Sequence, residues 1–320
     1  MSMRSPSGFI RPGFDPLKNP DAPTIGTATE GAEELSVTFT APAEVGGSAI
    51  TSYLATARKT SDGTLTGVSG ASSPIVVTGL TAGSAYTATV AAFNSYGPSA
   101  ASEASNSVTP TAPGPTVIGQ AFGGGFYAGQ ISTTANSVAT HYIIVGPKSS
   151  TDVLGKRWKT TNNATPGADS DIDGPQNTAD MVADNTATVY QAAWFCNDLT
   201  VGSYTDLYMP AKNELDVCYF GLKPTTTANF SGAGTGINPN AVPARASSYV
   251  GGTPATNPAQ TSASAFQSGG AEAFTTGAYW TSTEFSNPAA RRQFFGYGYQ
   301  SNSYKYVTFN RLRAIRRVPV

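Results

Sequence analysis

Between residues 23 and 111, apolar side chains recur at alternate positions in short runs: SVTFTAP, ITSYLATARK, PIVVTGL and AYTATVAAFNSYGPSA. Turn signals such as Gly46-Gly47 and SDG separate them. Strict alternation places one set of side chains on each face of a strand, and short strands at regular spacing predict an antiparallel sandwich. The Pro-rich segment TPTAPGPT, residues 109–116, reads as a linker that would hold its neighbours apart. Beyond it the pattern changes. GGGFYAGQI and THYIIVGP read as strands, and residues 177–199 as a helix with Met181, Val182, Val189, Ala193 and Trp194 on one side. A second helix is predicted after Pro210, in MPAKNELDVCYFGL, stopping at Gly221 before Pro224. Residues 224–270 carry little periodicity, and so long a loop is usually functional or poorly ordered. YWTSTE and the aromatic-rich QFFGYGYQSNSYKYVTFN, residues 293–310, follow as strands.

Residues 1–20 have neither period. Prolines stand at 6, 12, 16 and 20, with Phe9, Ile10, Phe14 and Leu17 isolated between them. Such a segment forms no core of its own, and its apolar side chains are too frequent for a solvated linker, so it is expected to dock on another protein. Charged residues make up 12% of the 320, and the net charge of −1 supplies no long-range field for nucleic acid or an anionic membrane. Partners must then be recognised by shape and short-range contacts. The amino terminus lacks the apolar core of a secretory signal, and no run of about eighteen apolar residues is present, so neither signal-directed export nor membrane insertion is expected. Two cysteines, Cys196 and Cys218, make no framework and leave one disulfide possible.

Residues 21–112 resemble a fibronectin type III domain. Pro23 stands at the entry, Phe39 in the second strand where the family usually has Trp, Tyr53 in the third, Leu80 before a turn, and Tyr86 at the tyrosine corner. With no Arg-Gly-Asp loop, the resemblance implies a spacer. Residues 113–320 resemble the C-type-lectin-like family typified by the C-terminal domain of a collagen-like bacterial adhesin, a module that recurs at the ends of phage tail fibres. Four blocks in order carry this: NTADMVA, YTDLYMPAKNEL, YWTSTEFS and RLRAIRRV. The resemblance implies an α+β fold of two helices on a small twisted sheet, with loops gathered as a ligand face, and adhesion without catalysis. The sugar-binding calcium motifs of true lectins are absent from the sequence.

The aromatic stretch near the end is predicted to be a two-faced hairpin. If residues 300–303 form the connection, Tyr299 faces Tyr304, Tyr297 faces Tyr306, and Phe295 faces Thr308. The other face pairs Phe294 with Phe309 and Gly296 with Val307. This reading puts Phe294, Val307 and Phe309 on the core side. It leaves the four tyrosines, with Asn302 and Asn310, to bind a receptor, because Tyr offers large contact area at small rotamer cost. The resemblance adds that phage members and retroelement-diversified relatives vary mainly near this hairpin.

Other candidates compete with structural roles. DSDIDGPQNTAD offers Asp169, Asp171, Asp173 and Asp180 at the first, third, fifth and twelfth positions of an EF-hand-like calcium loop, with Gly174 at the sixth. The twelfth residue is not the usual Glu, and the same residues suit a helix cap. Glu214 and Glu284 lack a nucleophile, His or metal cluster beside them, and His141 opens an apolar strand. The arginines at 291, 292, 311, 313, 316 and 317 concentrate charge, but the rest of the chain supplies no basic groove for nucleic acid. In the resemblance those of RLRAIRRV bond to loops and carboxylates. The combined expectation is a virion adhesin that needs no cofactor. Its N-terminal peptide plugs into phage tail or baseplate proteins, its tip binds a bacterial surface protein or glycan, and it works as a homo-oligomer, a trimer being favoured. A baseplate or decoration protein is the alternative, and a cell-surface bacterial adhesin the third.

Overall fold

The computed structural model describes residues 18–232, 234–251 and 257–320. The anchoring candidates Phe9, Ile10, Phe14 and Leu17 lie outside the described residues. The chain divides into two compact units that meet between Gly114 and Pro115, and no described helix is long and apolar enough to cross a membrane.

The first unit is a sandwich of seven strands. β1 (Thr24–Gly31), β2 (Glu34–Thr40) and β5 (Ile75–Thr78) form one sheet in the order β1-β2-β5. β3 (Ser52–Lys59), β4 (Leu65–Gly70), β6 (Tyr86–Asn94) and β7 (Gly97–Pro98) form the other, in the order β4-β3-β6-β7. For β2, β3, β5 and β6 the alternation read from the sequence is the alternation of burial. On β2 and β6 every second residue is buried, and Leu35, Val37, Ala55, Val77 and Val90 are sealed between the sheets. Phe39 packs on Tyr53 with ring centroids 4.7 Å apart, so the Phe fills the core where Trp is usual. The Tyr86 hydroxyl accepts the Thr81 backbone N–H at 3.0 Å, which closes the tyrosine corner over the buried Leu80.

One device was not visible in the pattern. Ser99, Ser102 and Ser105 each donate a backbone N–H to β6, to Ala92, Val90 and Ala88 in turn. Their hydroxyls accept the N–H of the same three residues at 2.9 Å. A serine every third residue thus completes the hydrogen bonding of β6 where no regular strand runs beside it.

The second unit is α+β, with two five-stranded sheets. β9 (Gly125–Ile131), β10 (His141–Val145), β12 (Ala241–Val242) and β17 (Ile315–Pro319) run in the order β12-β9-β10-β17, and β8 (Ala121–Phe122) also pairs with β9. β11 (Asp152–Leu154), β13 (Ala278–Ser286), β14 (Ala289–Phe294), β15 (Gln300–Tyr304) and β16 (Arg311–Arg313) run in the order β11-β16-β13-β14-β15. Buried Ala314 lies between β16 and β17, so the chain leaves one sheet and joins the other across a single residue. Short α1 (Lys148–Thr151) precedes β11; α2 (Gly174–Asp184), α3 (Gln191–Asn197) and α4 (Lys212–Leu222) cover the sheets. Leu215, Cys218, Tyr219 and Leu222 of α4 pack with Ile143, Phe274, Tyr279 and Phe295. Met181, Ala193 and Cys196 of α2 and α3 pack with Trp158, Trp280 and Leu312.

Three expectations change. The helix predicted over 177–199 is two helices, because Asn185 is fully extended (φ −163°, ψ 179°) and ends α2. Cys196 and Cys218 are both buried and unpaired, one in α3 and one in α4, and burial pushes both thiols up. The hairpin register also differs. QSNS belongs to β15 and is not the connection, which is residues 295–299. Register runs from Ala289 opposite Tyr304 to Gln293 opposite Gln300, so the tyrosines do not face one another. β15 is the edge of its sheet, where polar residues are as suitable as in a turn. Gly298 takes a positive φ of 79° in the true turn, and Phe295 swings inward to stack on Phe274 at 3.9 Å. Phe309, expected inside, is 63% exposed, while Val307 and Phe294 are partly buried.

Candidate ligand-binding hairpin

Strand alternation gives the β14–β15 hairpin two different faces. Arg292 and Phe294 share one of them with Ser301, whose hydroxyl accepts from Arg292 Nε at 3.1 Å. The Arg292 guanidinium lies over the Phe294 ring at 5.0 Å and over the Phe309 ring at 5.7 Å, and its Nη1 donates to Asn310 Oδ1 at 3.1 Å. Tyr297 and Tyr299 extend this platform from the turn, their rings near-parallel to each other and to Phe294 at centroid distances of 5.5 to 6.3 Å. Phe230 packs on Tyr299 at 4.5 Å. At the other end of β15, Tyr304 and Tyr306 stack at 5.5 Å and are 56% and 45% exposed. The six receptor-binding candidates therefore form no single row. Tyr297 and Tyr299 flank one end of β15, Tyr304 and Tyr306 the other, Asn302 lies on the strand, and Asn310 is buried beneath Arg292.

Arg291 and Gln293 take the opposite face with their cross-strand partners Asn302 and Gln300. Here the hairpin sits against α4 and residues 234–249. Buried Asp216 is the anchor: it accepts from Asn238 Nδ2 at 2.7 Å, from Gln300 Nε2 at 3.3 Å, and from Arg245 and the Tyr249 hydroxyl. Gln293 Nε2 donates to the Tyr249 hydroxyl at 3.3 Å. Burial pushes the Tyr249 hydroxyl well above its ordinary range, so it stays protonated and keeps donating. Above this floor opens a cleft of 280 Å³ lined by Lys212, Gly234, Thr235, Arg291, Arg292, Gln300, Ser301 and Asn302. Lys212 and Arg291 bring cations to it, whereas the Arg292 guanidinium lies on the other face over Phe294 and Phe309. Both pair with the carboxylate of Asp171, which is 3.0 Å from Lys212 Nζ and 3.7 Å from Arg291 Nε.

The calcium loop does not assemble. Gly174 starts α2 instead of turning a loop, and Asp173 is its N-cap, accepting from the Gln176 N–H at 3.3 Å. Asp171 is drawn to Lys212, Asp173 to Arg317 at 3.6 Å, and Asp180 accepts from Gln176 Nε2 at 2.9 Å a full turn along the helix. Asp169 is exposed, and among the described residues no three acidic, His or Cys side chains gather as metal ligands.

Glu214 and Glu284 hold the fold. Glu214 accepts from the Tyr208 hydroxyl and the Ala211 N–H, both at 2.7 Å, and from Arg317 Nε at 2.5 Å. Glu284 accepts the Thr165 N–H at 2.7 Å and pairs with buried Lys305 at 3.0 Å. His141 opens β10 beside Thr140, its pKa lowered by burial and then by Arg317. The terminal arginines find carboxylates and loops: Arg311 pairs with Asp152, Arg313 with Glu272 and the Gly146 carbonyl, and Arg316 with Asp206. Lys212, Gln300 and Ser301 were not singled out from sequence. The β14–β15 register accounts for Gln300 and Ser301, opposite Gln293 and Arg292, and nothing local in the sequence points to Lys212.

Comparison with known proteins bears on the first unit. Residues 21–108 match the Fibronectin type III domain family, so the chain carries such a domain, a structural and binding module. Domains A168–A170 of titin share 28% identity over 28% of this chain and 32% of that one, with a TM-score of 0.27. A fourth FNIII domain from human shares 26% over 31% of this chain and 86% of that one, TM-score 0.26. The FN5 domain of Drosophila Lar shares 24% over 30% and 99%, TM-score 0.24. The chain spans about a third or less of the first of the solved structures it matches. No curated protein matches the sequence.

Proposed function

We propose that this chain is a phage tail-fibre or tail-tip adhesin in which residues 115–320 are a C-type-lectin-like receptor-binding domain and the fibronectin type III domain is a spacer. The observation that supports it best is the hairpin itself, which gathers exposed Tyr304, Tyr306 and Phe309 and the Phe294, Tyr297, Tyr299 platform around a polar cleft. Aromatic rings that present area and hydroxyls together are what recognition surfaces use. Phe9, Ile10, Phe14 and Leu17 would seat the chain in the tail, and several copies on one particle would turn weak single contacts into firm attachment.

The full chain, fluorescently labelled, is mixed with a panel of bacterial strains. It should be retained by cells of at least one strain, and Tyr304→Ser with Tyr306→Ser should reduce retention about tenfold. Because both side chains are exposed, thermal stability should stay within about 0.5 kcal/mol. Retention by no strain, together with the chain's presence in purified particles, would favour a baseplate or decoration protein.

A further inference from the structure

The geometry points to the outer edge of β15 as the seat for one extended polypeptide segment of the receptor, joined to the sheet through its backbone. The inference rests on the reading of this hairpin as a receptor-binding surface and narrows the receptor to a protein.

β15 ends its sheet, and its ladder with β14 runs from Ala289 opposite Tyr304 to Gln293 opposite Gln300 without a register shift. Just beyond that ladder, the Phe294 N–H donates to the Tyr299 carbonyl at 2.9 Å and the Lys305 N–H to the Pro288 carbonyl at 3.0 Å. Hydrogen-bonded positions alternate along an antiparallel pair, so Ser301 and Ser303 turn their backbone groups toward β14. Gln300, Asn302 and Tyr304 then turn theirs outward. Among the described residues, no backbone or side chain hydrogen-bonds the main chain of Gln300 or Asn302 on that side, and the Tyr304 carbonyl meets only the Val307 N–H at 3.3 Å. The contact from residues 234–236 goes to the Gln300 side chain, whose Oε1 accepts the Gly236 N–H at 3.4 Å.

An open edge is ordinarily blunted by shortness, charge or proline. The other strands that end the sheets of this unit follow that rule: β12 has two residues, β11 has three, and β17 carries Arg316, Arg317 and Pro319. β15 has five residues, QSNSY, with no charge and no proline. Its outward donors and acceptors recur at every second residue, about 7 Å apart, a spacing that another extended polypeptide repeats and a sugar ring does not. Ser301 and Ser303 share the platform face and are small, which leaves room there for larger side chains of an added strand. Tyr299 and Tyr304 stand at its two ends. So short a strand pair binds weakly by itself, and several copies on one particle offset that weakness.

The labelled full chain is mixed with cells of a strain that retains it, untreated or pre-treated with proteinase K or with periodate. Asn302→Pro removes one outward N–H and no ladder hydrogen bond, whereas Asn302→Ala removes the side chain and keeps the N–H. Asn302→Pro should lower retention about tenfold and Asn302→Ala less than about twofold, the difference expected when a partner's carbonyl loses its donor. Thermal stability should stay in place for both. Proteinase K should abolish retention, and periodate should leave it. Retention of Asn302→Pro at the wild-type level overturns the inference and leaves the adhesin reading standing. Retention that survives proteinase K and falls with periodate does the same, since it marks a glycan receptor. If Asn302→Pro lowers thermal stability, the treated cells decide. A wild-type chain that sediments as a dimer, with Asn302→Pro a monomer, gives the edge to a second copy and also overturns the inference. Retention of the wild type by no strain overturns both readings.

Discussion

Glu214 shows how a single carboxylate ties several elements together. It is fully buried, and burial raises its pKa, an effect that Arg317, the Tyr208 hydroxyl and the Ala211 N–H oppose in part by favouring the charged form. Removing one member of such a pair leaves the other charge buried without compensation. Glu214→Ala should therefore cost about 3–5 kcal/mol in urea denaturation. Glu214→Gln should recover only part of that, because Arg317 keeps its charge and, among the described residues, retains only Asp173 at 3.6 Å as a counter-ion. Lys223 makes a different statement. Its ammonium is buried against the Thr227 carbonyl and Asn229 Oδ1, with no paired carboxylate among the described residues, and burial lowers its pKa to about 8. The unfolded chain then holds the extra proton between about pH 8 and pH 10.4, so this group's contribution to stability rises with pH across that window. Urea midpoints at pH 7.5 and 9.5 should rise in the wild type relative to Lys223→Met, whose midpoints lack this term. No relative rise would mean that Lys223 keeps its proton in the folded state.

At the scale of elements, Gly298 fixes the hairpin. Its φ of 79° is costly for any other residue, and a Cβ there would lie 2.5 Å from the Tyr219 ring. Gly298→Ala should destabilise the second unit by about 2–4 kcal/mol, combining left-handed backbone with overpacking, and should lower ligand binding by shifting β15. The hairpin is also where sequence reading reached its limit. β2, β3, β5 and β6 of the first unit were legible because each buries alternate residues, which makes alternation unambiguous, and Tyr86 marked its corner, whereas β1 with one buried residue and β4 with none gave no such pattern. Gln300 to Ser303 are equally at home in a turn and in an exposed edge strand, so pattern alone could not choose, and the choice of register moved Phe295 inward and Phe309 outward. The break between α2 and α3 was hidden because apolar spacing continues through Asn185 to Thr188 without Gly or Pro. The cleft joins residues near 212, 235, 291 and 302, and no local pattern ties those segments together.

For the whole molecule, the proposed roles sit on separate stretches of sequence. Deleting residues 1–20 should leave retention by bacterial cells and the far-ultraviolet spectrum unchanged while abolishing incorporation into particles. Incorporation at the wild-type level would remove the anchoring role from Phe9, Ile10, Phe14 and Leu17. The passage of the chain across Ala314 carries a further consequence, for biosynthesis. β16 pairs with β11 and β17 with β10, so both sheets wait for residues 311–319 to arrive from the far end of the unit. Residues 18–114 contain every strand of their own sandwich and can fold while the ribosome is still translating the rest. The second unit has no such early stage: a ribosome that stops anywhere before residue 311 yields a finished first unit with an incomplete second one.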